Sequence, residues 1–229
     1  MKAGHRAATI LIRGILSSVC RVHAEEVKSV PRKGPLLLVV NHINFLEVPL
    51  LYTYLYPRPQ SSLVKAETWD DPFLGWLADI WNAIPIRRGG VDSTALRAAE
   101  RALKSGKLLL VAPEGTRTGD GRLQRGKQGV TLLAAGGQIP VMPLVHFGGE
   151  RLLQNLKRGR RTDFTFRAGP IFRIRASRRE LKAGKRQSAT DEIMGLMASL
   201  LPPRYRGYYE HRIPANYRYL EFQAEEETA

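Results

Sequence analysis

The sequence predicts a single α/β domain: a mixed, largely parallel sheet flanked by helices, with an amphipathic helix at the amino end. Two strand-length runs, residues 36–40 and 108–112, are apolar at every position, the pattern of strands covered on both faces. Helix-like stretches alternate with the strand candidates, which is the sequence order of a parallel sheet. Both apolar runs deliver a polar cluster at their carboxyl ends, the place where open α/β sheets gather their working residues.

Taken in order, residues 6–22 carry Ile10, Leu11, Ile15, Val19 and Val22 at helical spacing, punctuated by Arg6, Arg13 and Arg21. Such a helix either packs on its own domain or lies in the plane of a membrane, attracted by anionic headgroups. The net charge favours the second, so residues 1–30 are expected to be a membrane-associating segment and 31–229 the globular domain. A turn at 31–35 leads into the first apolar strand, and a second strand is expected over 61–64. A helix follows over 72–81, then a short extended stretch at 84–86. Asp92 or Ser93 is placed to cap a helix over 94–105, which Gly106 would close. Strands are expected over 108–112 and 141–147. Beyond Glu150 the chain becomes basic, with a helix near 189–201 and an acidic tail at 225–227.

Composition limits the functional classes. At 229 residues with 43% hydrophobic content, the chain has material for one packed core. Lys and Arg number 36 against 21 acidic residues, a net charge of +15 that favours a polyanionic surface, either nucleic acid or anionic lipid. The single cysteine, Cys20, cannot form an internal disulfide. No run approaches the ~20 apolar residues that span a bilayer, and Arg13 interrupts the amino-terminal apolar run, so no cleaved signal is read there. A peripheral or monotopic place on the cytoplasmic face of a membrane is the expectation.

Two clusters carry chemistry. In Asn41-His42-Ile43-Asn44-Phe45-Leu46-Glu47, four residues separate a histidine from a carboxylate. Inside a regular helix these positions would lie about 140° apart, so the side chains meet only if His42 sits in the turn before the helix. A carboxylate accepting the Nδ1 proton would fix the tautomer and leave Nε2 to take a proton from an attacking hydroxyl, a hydrolase triad without its serine. The competing reading is a histidine that merely hydrogen-bonds locally at a strand end. The second cluster, Pro113-Glu114-Gly115-Thr116-Arg117, joins a carboxylate, a glycine, a hydroxyl and a guanidinium. Such a loop can hold a phosphate, Arg by forked donors and Gly by permitting close approach. It can equally be a capped surface turn. His5, His23, His146 and His211 have no ligand-spaced partners, so no metal is expected. The absence of a Gly-x-Ser-x-Gly elbow argues against a serine hydrolase.

Together these clusters resemble, in order and spacing, the motifs of the glycerolipid acyltransferase family that includes bacterial 1-acylglycerol-3-phosphate acyltransferases. Residues 41–47 look like its first motif, 84–89 (Ile-Pro-Ile-Arg-Arg-Gly) its second, 113–117 its third and 139–143 (Ile-Pro-Val-Met-Pro) its fourth. The resemblance covers about 36–149. Glu47 stands where the family usually has aspartate, and Ala112 replaces the aromatic residue that commonly precedes the third motif. The resemblance implies that 31–229 is an acyltransferase domain with His42 as general base and Glu47 as its orienting partner. It further implies that Glu114, Gly115, Thr116 and Arg117, assisted by Arg88 and Lys65, bind a glycerol-phosphate acceptor. Lys65 reads equally as a solvated lysine. The implied reaction moves a fatty acyl group from acyl-CoA or an acylated carrier protein to the free hydroxyl of a lysophospholipid, giving phosphatidate from 1-acyl-sn-glycerol-3-phosphate. The thioester is a co-substrate, and no cofactor is expected. Anionic lipid, the lysophospholipid and the carrier protein are the expected partners. The rival reading is a catalytically silent binder of lipid or nucleic acid. Phe164, Phe166 and Phe172 interleave with Arg167 and Arg173 but form no complete RNA-recognition signature, and strand alternation explains them as well, so nucleic acid is not expected.

Overall fold

The computed structural model describes residues 3–87, 89–90, 92–135 and 139–223. The chain opens with helix α1 (Ala3–Val19) and strand β1 (Cys20–His23), then β2 (Leu36–Val39), α2 (Glu47–Tyr54), β3 (Gln60–Lys65), α3 (Pro72–Ile80) and β4 (Ile84–Ile86). It continues through α4 (Ser93–Lys104), β5 (Leu108–Val111), α5 (Gly129–Ala135), β6 (Val141–Phe147), α6 (Leu152–Lys157) and β7 (Thr162–Ala168). The last elements are β8 (Phe172–Ile174), α7 (Ala183–Leu200) and β9 (Leu220–Phe222).

The two all-apolar runs form the centre of the sheet. β2 and β5, each Leu-Leu-Leu-Val and buried at every position, pair in parallel from Leu36 opposite Leu108 to Val39 opposite Val111. β3 joins the far side of β5 and β4 the far side of β3, while β6 flanks β2, all in parallel. β7 and β8 run antiparallel to β6, β7 along its second half and β8 at its start, so the sheet is mixed as its sequence predicts. Because strand side chains alternate, Leu37, Val39, Leu109 and Val111 join one core with α4, α5 and α7. Leu36, Leu38, Leu108 and Leu110 join the other, with residues from α1, α2 and α3.

Side-chain caps fix where α3 and α4 begin. Asp71 accepts from the backbone amides of Phe73 and Leu74, each at 2.9 Å, with Pro72 at the first helical position of α3. Asp92, not Ser93, caps α4, accepting from Thr94 N and Ala95 N at 3.0 Å, and Gly106 takes φ +78° just beyond its end. Two expectations need correction. The amino-terminal helix stops at Val19, where β1 begins and pairs in parallel with Thr162–Thr165 of β7. A boundary at residue 30 therefore cuts through the sheet, and residues 20–23 belong to the same packed unit as 31–223. The carboxyl helix is longer than 189–201 because its first turns are polar and carry no apolar period. The acidic tail at 225–227 lies outside the described residues.

Asp92 also accepts from Arg87 N at 3.0 Å, so one carboxylate ties the second motif to α4. Asp92→Ala should lower the urea midpoint of unfolding at unchanged slope, because it removes the cap of α4 and the tie to Arg87; an unchanged midpoint would show that the cap contributes nothing.

Candidate active site

The loop that follows β2 is fixed before any catalytic group is considered. Asn41, buried, reaches across to β6: its Nδ2 donates to His146 O at 2.9 Å and its Oδ1 accepts from His146 N at 2.8 Å. The His146 ring completes the pairing, Nε2 donating to Asn41 O at 2.7 Å while the ring stacks on Phe164 with centroids 4.9 Å apart. Burial pushes the His146 imidazole below its ordinary range, which keeps it neutral in this place. This clamp was not read from the sequence, where His146 is an isolated histidine inside an apolar strand.

Held by that clamp, the chain turns so that His42 lies ahead of α2 and Glu47 is the helix's first residue. The His42 Nδ1 donates to Glu47 Oε1, and the second oxygen accepts from Asn44 N at 3.2 Å. Glu47 is fully buried at 0% exposure, whereas 16% of the His42 side chain reaches the surface. Its Nε2 makes no hydrogen bond among the described residues. The extra methylene of Glu47 is accommodated by placing the carboxylate at the helix amino terminus, where the dipole favours negative charge. Asn44 braces the turn by donating through Nδ2 to Gly149 O at 2.8 Å and accepting from Leu46 N at 2.8 Å.

The loop after β5 is laced to this one. Thr118 N donates to His42 O at 2.8 Å and Gly119 N to Ile43 O at 3.0 Å. Glu114 forms the third tie, accepting from His42 N at 2.8 Å and from Gln124 N at 2.9 Å. With 1% exposure and both oxygens engaged, Glu114 is closed to a ligand; the expectation that it binds acceptor is replaced by a role in holding two loops together. A carboxylate would in any case repel a phosphate. Burial pushes its pKa up to about 7, against the backbone amides that pull it down.

The cations lie around this framework. Arg117 is exposed and Thr116 half-buried, with no side-chain partner for either among the described residues. Lys65 is exposed at the carboxyl end of β3, level with Ile86 of β4. Gly115 takes φ +68°, and a Cβ there would come within 2.9 Å of the Lys127 Nζ, so only glycine lets that ammonium lie across the loop. Lys127 is thus a further cation at the site that the motif pattern had not singled out. Arg88 lies outside the described residues.

The acyltransferase family profile matches residues 21–146, more than half of the chain. The chain belongs to this family. Among acyltransferases, it is 36% identical over 141 residues to a lyso-ornithine lipid O-acyltransferase of Pseudomonas aeruginosa, covering 58% of this chain and 52% of that protein. It is 29% identical over 133 residues to a 1-acyl-sn-glycerol-3-phosphate acyltransferase of the same organism, covering 57% and 51%. The chain spans about half the length of these curated relatives. The crystal structure of the 1-acyl-sn-glycerophosphate acyltransferase PlsC from Thermotoga maritima shares the fold at TM-score 0.62 and 21% identity, covering 87% of this chain and 82% of that one.

The raised Glu114 pKa fixes the sign of a pH effect. The folded chain holds this proton more tightly than the unfolded one, so the stability it confers is complete below about 4.5 and is lost as pH rises through about 7. Between pH 5 and 8 the native chain should lose on the order of 3 kcal/mol relative to Glu114→Gln. Urea unfolding of both proteins across that range checks it, and a constant difference would show that Glu114 titrates as an ordinary carboxyl.

Proposed function

We propose that the chain transfers a fatty acyl group from an acyl thioester, acyl-CoA or acylated carrier protein, to the free hydroxyl of a lysophospholipid, with 1-acyl-sn-glycerol-3-phosphate the preferred acceptor. The observation that carries this reading is the His42–Glu47 pair, its Nε2 unengaged among the described residues, on a loop hydrogen-bonded to the one that carries Arg117. Nε2 accepts the hydroxyl proton as the oxygen attacks the thioester carbonyl; Glu47 stabilises the imidazolium that results. The tetrahedral intermediate collapses with cleavage of the C–S bond, and the imidazolium returns the proton to the departing thiolate. The backbone amides of Thr116 and Arg117 donate no hydrogen bond among the described residues, and an oxyanion or phosphate oxygens would engage them. Arg117 and Lys127 supply the charge that favours a phosphate-bearing acceptor, with Lys65 and Arg88 assisting. Similarity to the lyso-ornithine lipid enzyme favours a second acceptor, which the same assay includes.

Thiol release from acyl-CoA and from acyl carrier protein should depend on added lysophosphatidate. It should fall by about 10²–10⁴ in His42→Ala with the fold intact, and less in Glu47→Gln. Release that requires lyso-ornithine lipid would reassign the acceptor. No release with either donor and either acceptor would return the chain to the reading of a silent binding protein.

We also propose that it works on an anionic bilayer surface, peripheral or monotopic and on the cytoplasmic face. Among the described residues, no helix is long and apolar enough to cross a membrane. Besides Tyr208 and Phe222, the exposed large apolar side chains among the described residues are unevenly placed: Ile10, Leu11 and Ile15 on α1, Phe45 before α2, Phe73, Leu74 and Trp76 on α3, and Leu153 and Leu156 on α6. These elements share one core cluster and hence one side of the sheet. α4, α5 and α7, on the other side, contribute none. A one-sided apolar surface on a chain of charge +15 fits an anionic interface. Leu11→Asp with Ile15→Asp should weaken sedimentation with phosphatidylglycerol vesicles by at least about tenfold; unchanged partitioning would remove α1 from the docking surface.

A further inference from the structure

Far from His42, at the amino ends of β2 and β3, a cavity of about 650 Å³ opens between α1, the segment 22–33 and the turn 54–59. None of its lining residues belongs to the loops that carry His42 and Arg117. Its wall carries Arg13, Lys28, Arg32, Lys33 and Arg58 against one acid, Glu25. None of these cations forms an ion pair with a carboxylate among the described residues.

Arg58 decides what the cavity is for. It is 8% exposed, and its Nη2 donates to Gly34 O at 2.8 Å, yet Nε and Nη1 are buried and meet no acceptor among the described residues. Buried polar groups are normally paired, and an unmet donor on a charged group is costlier than one on a neutral group. Arg58 has no carboxylate partner among the described residues, and an anion held in the cavity would supply one. The remaining wall is apolar, with Val22, Val27 and Leu55, and the volume exceeds what a bare anion needs. Arg13 ties the cavity to the membrane-facing side: its guanidinium stands 4.6 Å over the Tyr54 ring, on the helix that also exposes Ile10, Leu11 and Ile15.

We infer that this cavity is a second anion site, separate from the one at His42, which takes the phosphate group of an amphiphile between Arg58 and the rim cations Arg13, Arg32 and Lys33. A lipid headgroup and a free phosphate offer the same oxygens. The lipid is favoured by the apolar wall and by the shared helix α1. Occupied by a headgroup, the site would fix the domain on the bilayer at a point remote from the chemistry.

The test uses an Arg117→Ala background, so that the cation of the catalytic loop does not contribute. Titration calorimetry with monomeric dihexanoyl-phosphatidylglycerol, dihexanoyl-phosphatidylcholine and inorganic phosphate compares that protein with added Arg58→Gln, or added Arg32→Gln and Lys33→Gln. Phosphatidylglycerol should bind and weaken at least about tenfold in both variants, the loss of one charge-assisted contact. The rim pair is exposed, so it reports even if Arg58→Gln does not fold. Inorganic phosphate binding alone, with the same losses, keeps the site and makes free phosphate its source. Binding of neither anion, equal binding of phosphatidylcholine, or binding indifferent to these charges overturns the proposal.

Discussion

A carboxyl group shut away from water holds the two working loops at a fixed separation. Glu114 reaches from the loop after β5 to the backbone amide of His42 and to that of Gln124, so His42 and the cation-bearing loop are positioned by the same side chain. Thr118 and Gly119 repeat the connection through backbone hydrogen bonds to His42 and Ile43. The proposed catalytic pair therefore needs no rearrangement of the main chain to form. Its geometry is already set by the register of β2 and β5, which pair residue by residue up to Val39 and Val111.

The two ends of the sheet serve different purposes. Loops leaving β2 and β5 at their carboxyl ends meet at His42, in keeping with the general behaviour of parallel sheets. The segments entering β2 and β3 form the cationic cavity instead. Neither end competes with the other for space, because the central strands, buried on both faces, fill the distance between them. Charge is likewise divided: the catalytic end keeps a buried acid, Glu47, under its histidine, while the far end gathers cations with hardly any acid nearby.

Much of this was legible in the residues. The apolar runs at 36–40 and 108–112 identify the central strands, because double-sided burial leaves no room for polar alternation. His42 and Glu47 could be paired on spacing, since only a turn before the helix brings them together. The role of Glu114 could not be read, because a carboxylate in a polar motif looks the same whether it meets a ligand or a backbone amide. The Asn41–His146 clamp spans 105 residues and depends on β2 lying beside β6. β1 was hidden in a helical pattern, four residues whose partners lie in β7 and leave no local trace. Lys127 escaped because its place over Gly115 is set by the path of a loop with no periodicity.

The uneven distribution of exposed apolar side chains bears on how the protein behaves outside a lipid setting. α1, α3 and α6 present Leu11, Trp76 and Leu153 to whatever lies beyond them, while the helices on the other side present none. In aqueous buffer that surface has nothing but water or another copy of itself to meet, and burying it against a copy is the more favourable of the two. Aggregates or dimers formed without detergent would then report on a bare docking surface rather than on a subunit arrangement. Detergent or lipid that restores a monomer would be substituting for the bilayer.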